Sequence, residues 1–258
     1  MTVPMNVLSS QELRLQARSG CFTGPTAGIA PGMVQANLMI LPREHAFDFL
    51  LFCQRNPKPC PIVEVTDPGQ TAPRCAPMAD LRTDLPAYRV FRDGALIEER
   101  GDIVDLWHGD LVSFLIGCSF TFETALLRVG IALRHIERRC NVSMYRTNIA
   151  CVRAGRFHGN MVVSMRPIKS AAVALAIEIS TRFPDMHGAP VHVGNPSAIG
   201  ITDLTKPDYG DAVDIMGDEI PVFWACGVTP QVVAQESRVP FCVTHSPGKM
   251  FVTDLPCG

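Results

Sequence analysis

A chain of 258 residues, with 47% hydrophobic and 19% charged side chains and a formal charge of −2, can build a substantial core as one large domain or two small ones. Near-neutral charge and the lack of any Lys/Arg cluster exclude the basic footprint that nucleic-acid phosphates demand. No run approaches the ~18 apolar residues of a membrane span. MTVPMNVLSSQELR has no basic-then-apolar leader, and the ten cysteines include no C-x-x-C pair, so they read as reduced thiols in a cytoplasmic protein. Charge content below the usual ~25% predicts surface buried between subunits, in a homodimer or higher homo-oligomer.

In chain order, Ser9-x-x-Glu12 is a capping box whose helix stops at Gly20. TGPTAGIAPGMVQAN is a loop, and NLMIL reads as a buried strand. Apolar spacing predicts a helix over 43–56, and PIVEV a short strand. Residues 70–86, rich in Pro, Ala and Asp, form a long excursion. AYRVFRDGALIEE is a hairpin around Asp93–Gly94. Residues 103–116 and 120–138 read as helical, MYRTNIACV and RFHGNMVVSMRP as strands joined at Ala154–Gly155, and 169–182 as a helix. After a Gly/Pro-rich loop, IPVFW is a strand, 229–236 a helix, and FCVTHSPGKMFVTD a last strand and tail. The fold expected is α/β, a mixed sheet with helices on both sides. Two lobes sharing the chain discontinuously are expected, 1–75 plus 166–258 as the larger and 76–165 as a smaller inserted α+β lobe.

Two stretches carry the chemistry, IGCSFTFE and FWACGVTP. Each ends an apolar run in a small-residue turn around a cysteine, Cys118 or Cys226, and then opens a helix at Ser119 or Thr121, or at Thr229–Pro230. A thiol just before a helix N-terminus sits in positive potential that favours thiolate and attracts anions, although free cysteines are also common core residues. Glu123, in an apolar stretch, is either an acid with a raised pKa or a first-turn residue favouring the helix dipole. Arg146 and Asn148 of YRTN share one strand face and offer a carboxylate grip. Arg156 and His158 on the adjoining strand would extend it, with His158 suited to acid/base work. Thr26, Gln35 and Asn37 can hydrogen-bond a small ligand from the first loop and strand, which has neither a P-loop nor a dinucleotide fingerprint. His187, His192 and His245 are further proton-transfer candidates. Three histidines with Glu123 could hold a divalent metal, but their spacing matches no zinc signature, so no cofactor is assigned.

The long motifs TGPTAGIAPGMVQANLMILP, FDFLLFCQRNPKPCPIVEVTDPG, FLIGCSFTFE, MYRTN, GRFHGNMVVSMRPI, HGAPVHVGNP, PVFWACGVTPQ and THSPGKMFVTD resemble the D-glutamate cyclase family over nearly the whole chain. The resemblance implies a two-lobed α/β fold and a carbon–oxygen hydro-lyase that dehydrates D-glutamate to 5-oxo-D-proline. The family carries Asp where HVGNP has Asn195. Set against that reaction, Arg146 and Asn148 fit the substrate carboxylate, with Arg156, Thr26, Gln35, Asn37, Ser119, His192 and His245 around it. His158, Cys118, Cys226 and Glu123 fit the proton transfers. Two further readings stay open. A cofactor-independent racemase would use Cys118 and Cys226 on opposite faces of an α-carbon, and a binding protein would hold an acidic metabolite without turning it over.

Overall fold

The computed structural model describes residues 8–257, so the reading of MTVPMNV as lacking a leader lies outside the described residues. The capping box closes as expected, with Ser9 and Glu12 exchanging hydrogen bonds at the start of α1 (Ser10–Arg18). β1 (Met33–Pro42) then runs through the middle of a seven-stranded sheet and leads into α2 (Arg43–Arg55). That sheet also holds β2 (Ile62–Val65), β3 (Tyr88–Arg92), β4 (Ala95–Arg100) and β5 (Leu111–Gly117). Asp93 and Gly94 both take positive φ between β3 and β4, the primed turn that matches strand twist.

The chain next forms α3 (Phe120–Arg128) and α4 (Arg134–Arg138) and enters a four-stranded sheet. Its strands are β6 (Ser143–Ala150), β7 (Asn160–Lys169), β8 (His192–Val193) and β9 (Glu219–Ala225), with α5 (Val173–Thr181) after β7. α6 (Thr229–Glu236) returns the chain to the first sheet as β10 (Phe241–His245) and β11 (Phe251–Pro256). Strand order is β2-β5-β1-β10-β3-β4 with β11 also on β1, and β6-β7-β9-β8 in the smaller sheet.

The α/β class stands, but every pairing of named strands is antiparallel, so strand direction is not mixed. Sheet membership also follows other boundaries than 75/76 and 165/166. β3, β4 and β5 belong with β1, and β7 pairs with both β6 and β9. The helix expected over 103–116 is instead a short 3-10 turn followed by β5, buried at all seven positions between β1 and β2. Periodicity cannot separate a short, fully buried strand from a buried helix. The helix expected over 120–138 breaks at Gly130, whose φ is +81°.

The core under α2 is aromatic: Phe49 meets Phe114 and Phe157 edge-on, with centroids 4.8 and 5.2 Å away. No helix of the described residues is long and apolar enough to cross a membrane.

Candidate active site where the two sheets are joined

The chain passes between the sheets twice, and each passage is a cysteine turn followed by a helix. β5 leaves the large sheet through Cys118 into α3, and β9 leaves the small sheet through Cys226 into α6. The two turns, a hundred residues apart in sequence, meet. Cys118 and Cys226 lie buried in one cluster with Phe120, Met144, Val162 and Val228. Asn37 of β1 ties the turns together. Its Nδ2 donates to the Ile116 and Gly117 carbonyls, at 3.2 and 2.8 Å, while Gly227 lies so close that a Cβ there would overlap the Asn37 carboxamide. Gly117 is equally tight, with the Asp185 carbonyl where its Cβ would stand. Glycine is therefore required at both turns for close approach.

Behind the turns lies a buried ion cluster. Arg166, on β7, is fully buried, and Glu123 and His135 are each 2% exposed. Arg166 Nε donates to Glu123 Oε1 at 2.8 Å, Nη1 to Ser164 Oγ at 3.0 Å and Nη2 to Ser119 Oγ at 2.9 Å, with a second Nη2 contact to Glu123. Its guanidinium also lies against Phe122 and Trp224, 5.6 and 5.4 Å from the ring centroids. His135 Nε2 sits 3.0 Å from Glu123 Oε1. The local rules that assemble this are simple. Ser164 and Arg166 share a strand face two residues apart, and Ser119 and Glu123 share a helix face four apart.

Burial raises the pKa of Glu123, but His135 and Arg166 outweigh it, so the carboxyl lies below its ordinary value. Glu123 is thus held as a carboxylate and is not the raised-pKa acid that the sequence allowed. The thiols move the opposite way from the thiolate expectation. Burial pushes Cys118 well up and Cys226 to about 11, although backbone hydrogen bonds from Phe120 and Val228 pull both down. Desolvation wins over the helix N-terminus here. His187 and His245 are buried neutral imidazoles, both lowered to about 4 by desolvation. His187 Nδ1 bonds the Lys58 carbonyl at 2.8 Å, and the Leu38 amide donates to His245 Nδ1 at 3.1 Å.

Of the residues singled out in the sequence, Cys118, Ser119, Glu123, Cys226, Asn37 and Gln35 come together around this centre. The Gln35 amide donates to Thr121 Oγ1 at 3.1 Å and its Nε2 to the Thr26 carbonyl at 3.0 Å. Thr26 itself is buried, taking the Met250 amide on its hydroxyl. Arg146 and Asn148 do share a face, but it is the solvent face of an edge strand. Arg146 Nη2 donates to Tyr209 Oη and Gln235 Oε1, both at 3.1 Å. Arg156 and His158 precede β7 instead of lying on it and are exposed; the His158 amide donates to Ser237 Oγ at 3.0 Å. His192 Nε2 bonds the Asn195 carbonyl at 2.7 Å. Asn195 caps a 3-10 turn through the Ser197 amide, a task an Asp would also perform. Among the described residues no three His, Cys, Asp or Glu side chains are grouped as metal ligands.

Sequence reasoning passed over Arg166, His135 and Ser164. The signal for Arg166 was available in VVSMRPI, where a lone charge in an otherwise apolar strand demands a buried partner. Glu123 in its apolar stretch is the matching half.

A sequence profile of the D-glutamate cyclase family matches residues 112–254, which take in both cysteine turns, Glu123 and Arg166. A Geobacillus kaustophilus protein is 60% identical over 96% of this chain and 95% of its own length. Its counterpart in Bacillus licheniformis is 59% identical over 97% and 96%. One from Pseudomonas syringae pv. syringae is 61% identical over 94% and 92%. All three carry the provisional name hydro-lyase. A nitrogen repressor-like protein from Methanococcus jannaschii aligns over 91% of each chain at 11% identity and a TM-score of 0.39, too distant to bear on function. With the profile spanning the site and relatives alike over nearly their full length, the chain belongs to the D-glutamate cyclase family, among relatives provisionally named hydro-lyases.

Proposed function

We propose that this protein is a hydro-lyase that closes a small acidic amino acid on itself with loss of water, as D-glutamate to 5-oxo-D-proline, at the centre between the Cys118 and Cys226 turns. The observation that carries the reading is the meeting of two cysteine turns that each open a helix, with the buried Glu123–Arg166–His135 cluster bonded through Arg166 to Ser119 of the first. In that reaction the amino nitrogen attacks the γ-carboxyl carbon, an N–C bond forms, a C–O bond breaks and water leaves. Two carboxylates must be held, and the two protons that leave the ammonium nitrogen must both reach the departing γ-carboxylate oxygen, which then leaves as water. The first turns of α3 and α6 supply amide donors and positive potential for carboxylates. The Glu123–His135 pair supplies a proton relay, kept in place by Arg166. Burial of the centre favours condensation, which bulk water would reverse.

The two-thiol isomerase is served less well, because burial disfavours the thiolate that would abstract an α-proton. NMR of purified protein in D₂O with D- and L-glutamate, aspartate and their 2-hydroxy analogues tests all three readings. The proposal expects 5-oxo-D-proline from D-glutamate alone. α-Proton exchange without ring closure would replace it with the isomerase, and binding without any chemistry with the carrier.

A further inference from the structure

Most of the polar atoms in the buried centre have partners inside the protein, and two that do not belong to residues lining the same small cleft. Glu123 Oε2 and Gln35 Oε1 are both buried, and among the described residues neither has a hydrogen-bond partner. Both residues line a cleft of about 10 Å³ beneath the first loop, closed otherwise by Ala30, Pro31, Phe120 and Leu127 among other residues, room for one small group. The remaining atoms of each side chain are committed. Glu123 Oε1 takes Arg166, and the Thr26 carbonyl, an acceptor, fixes the other end of the Gln35 amide as nitrogen. A carboxylate oxygen and an amide oxygen in an apolar cleft make two acceptors without a donor, which is costly unless a ligand supplies N–H or O–H.

We propose that Glu123 Oε2 and Gln35 Oε1 form the amino-group subsite of the active site, each accepting one N–H of the substrate amine. Two N–H bonds satisfy both oxygens and leave the nitrogen lone pair unengaged, whereas a hydroxyl offers one hydrogen and leaves one acceptor bare. Arg166 already offsets the Glu123 charge, so the subsite takes a neutral amine without requiring ammonium. The proposal deepens the functional reading above and rests on it for the location of the site.

Calorimetry with D-glutamate and with (R)-2-hydroxyglutarate, its hydroxyl analogue, tests the subsite without reading turnover. Wild-type protein should bind the amino acid at least about tenfold more tightly, since a site built for N–H donors rejects an analogue that leaves an acceptor unpaired. Gln35→Met should abolish most of that preference with little change for the hydroxy acid. Gln35→Glu, protonated beside the Glu123 carboxylate so that its hydroxyl donates to the Thr26 carbonyl and its carbonyl oxygen takes the place of Oε1, should recover it, and thermal melting of each variant reports folding. Equal affinities in the wild type, binding of neither ligand, or a Gln35→Met loss shared by both ligands would overturn the proposal. So would a ligand-bound crystal structure with an ordered water kept between the two oxygens and the amine elsewhere. Amino preference without water loss leaves the subsite standing and sinks the hydro-lyase reading. Ring closure of D-glutamate without amino preference does the reverse.

Discussion

Arg166 and Arg146 sit on adjacent strands, β7 and β6, yet live in different media. Arg166 has no contact with solvent and donates to a carboxylate and two hydroxyls. The Arg146 side chain is 43% exposed and pairs loosely with Glu236 at 3.8 Å. The difference teaches that strand alternation identifies which residues share a face, but not which face is inside. It also sets the energetic stakes. A buried charge must keep its partner, while an exposed pair contributes little.

The contrast breaks most sharply if the buried arginine is removed. Arg166→Met leaves the Glu123 carboxylate with only His135 beside it, so urea unfolding at pH 7 should show a loss of about 3–5 kcal/mol. D-Glutamate turnover should vanish even where the variant stays folded. A variant as stable as the wild type would show that the cluster is not held as a charge pair.

Next comes pH. His187 and His245 have folded pKa values lowered to about 4, against an ordinary value near 6.5. The unfolded chain therefore binds protons that the folded one refuses, and stability present at pH 7 is lost as pH falls from about 6.5 to 4, up to about 3 kcal/mol for each histidine. His245→Asn keeps an acceptor for the Leu38 amide but removes one titration, so its unfolding free energy should fall less steeply over that range. Parallel curves for the two proteins would remove His245 from the account. Glu123 acts at lower pH: its depressed pKa contributes stability above the unfolded carboxyl value that is lost as pH falls through the folded one.

Gly227→Ala should cost about 1–3 kcal/mol by overpacking and lower turnover, because the Asn37 carboxamide must move. Gly217→Ala, in open space, is its control, and matching melting curves for the two would refute the close approach at Gly227. Smallest of all is Arg146→Lys. Stability should stay within about 0.5 kcal/mol and kcat/KM within about twofold, under 0.5 kcal/mol of transition-state binding. A tenfold loss would restore Arg146 as the carboxylate grip.

What could be read from the sequence follows the same division. The capping box, the Asp93–Gly94 hairpin and the helix over 229–236 are written in local residues and formed as expected. β5 was not legible, because an apolar run of seven declares burial but not its neighbours. Cys118 and Cys226 were legible as a matched pair of turns, while their protonation depends on how far neighbouring chain excludes water. His135 packs against Phe120 and reaches Glu123 only because the break at Gly130 turns α4 back, with ring centroids 6.2 Å apart. That turn is tertiary information.

The return of the last strands to β1 sets a timetable for synthesis. β6 to β9 can all pair with one another as they leave the ribosome, since they lie within residues 143–225. β1 cannot: the edge that β10 and β11 cover stays open until about 200 further residues are made, some 10–40 s at ordinary elongation rates. For that interval MVQANLMILP is an apolar strand with a bare edge, the kind of segment that recruits other chains. That exposure predicts that a truncation before Phe241 should aggregate instead of accumulating as a smaller folded product.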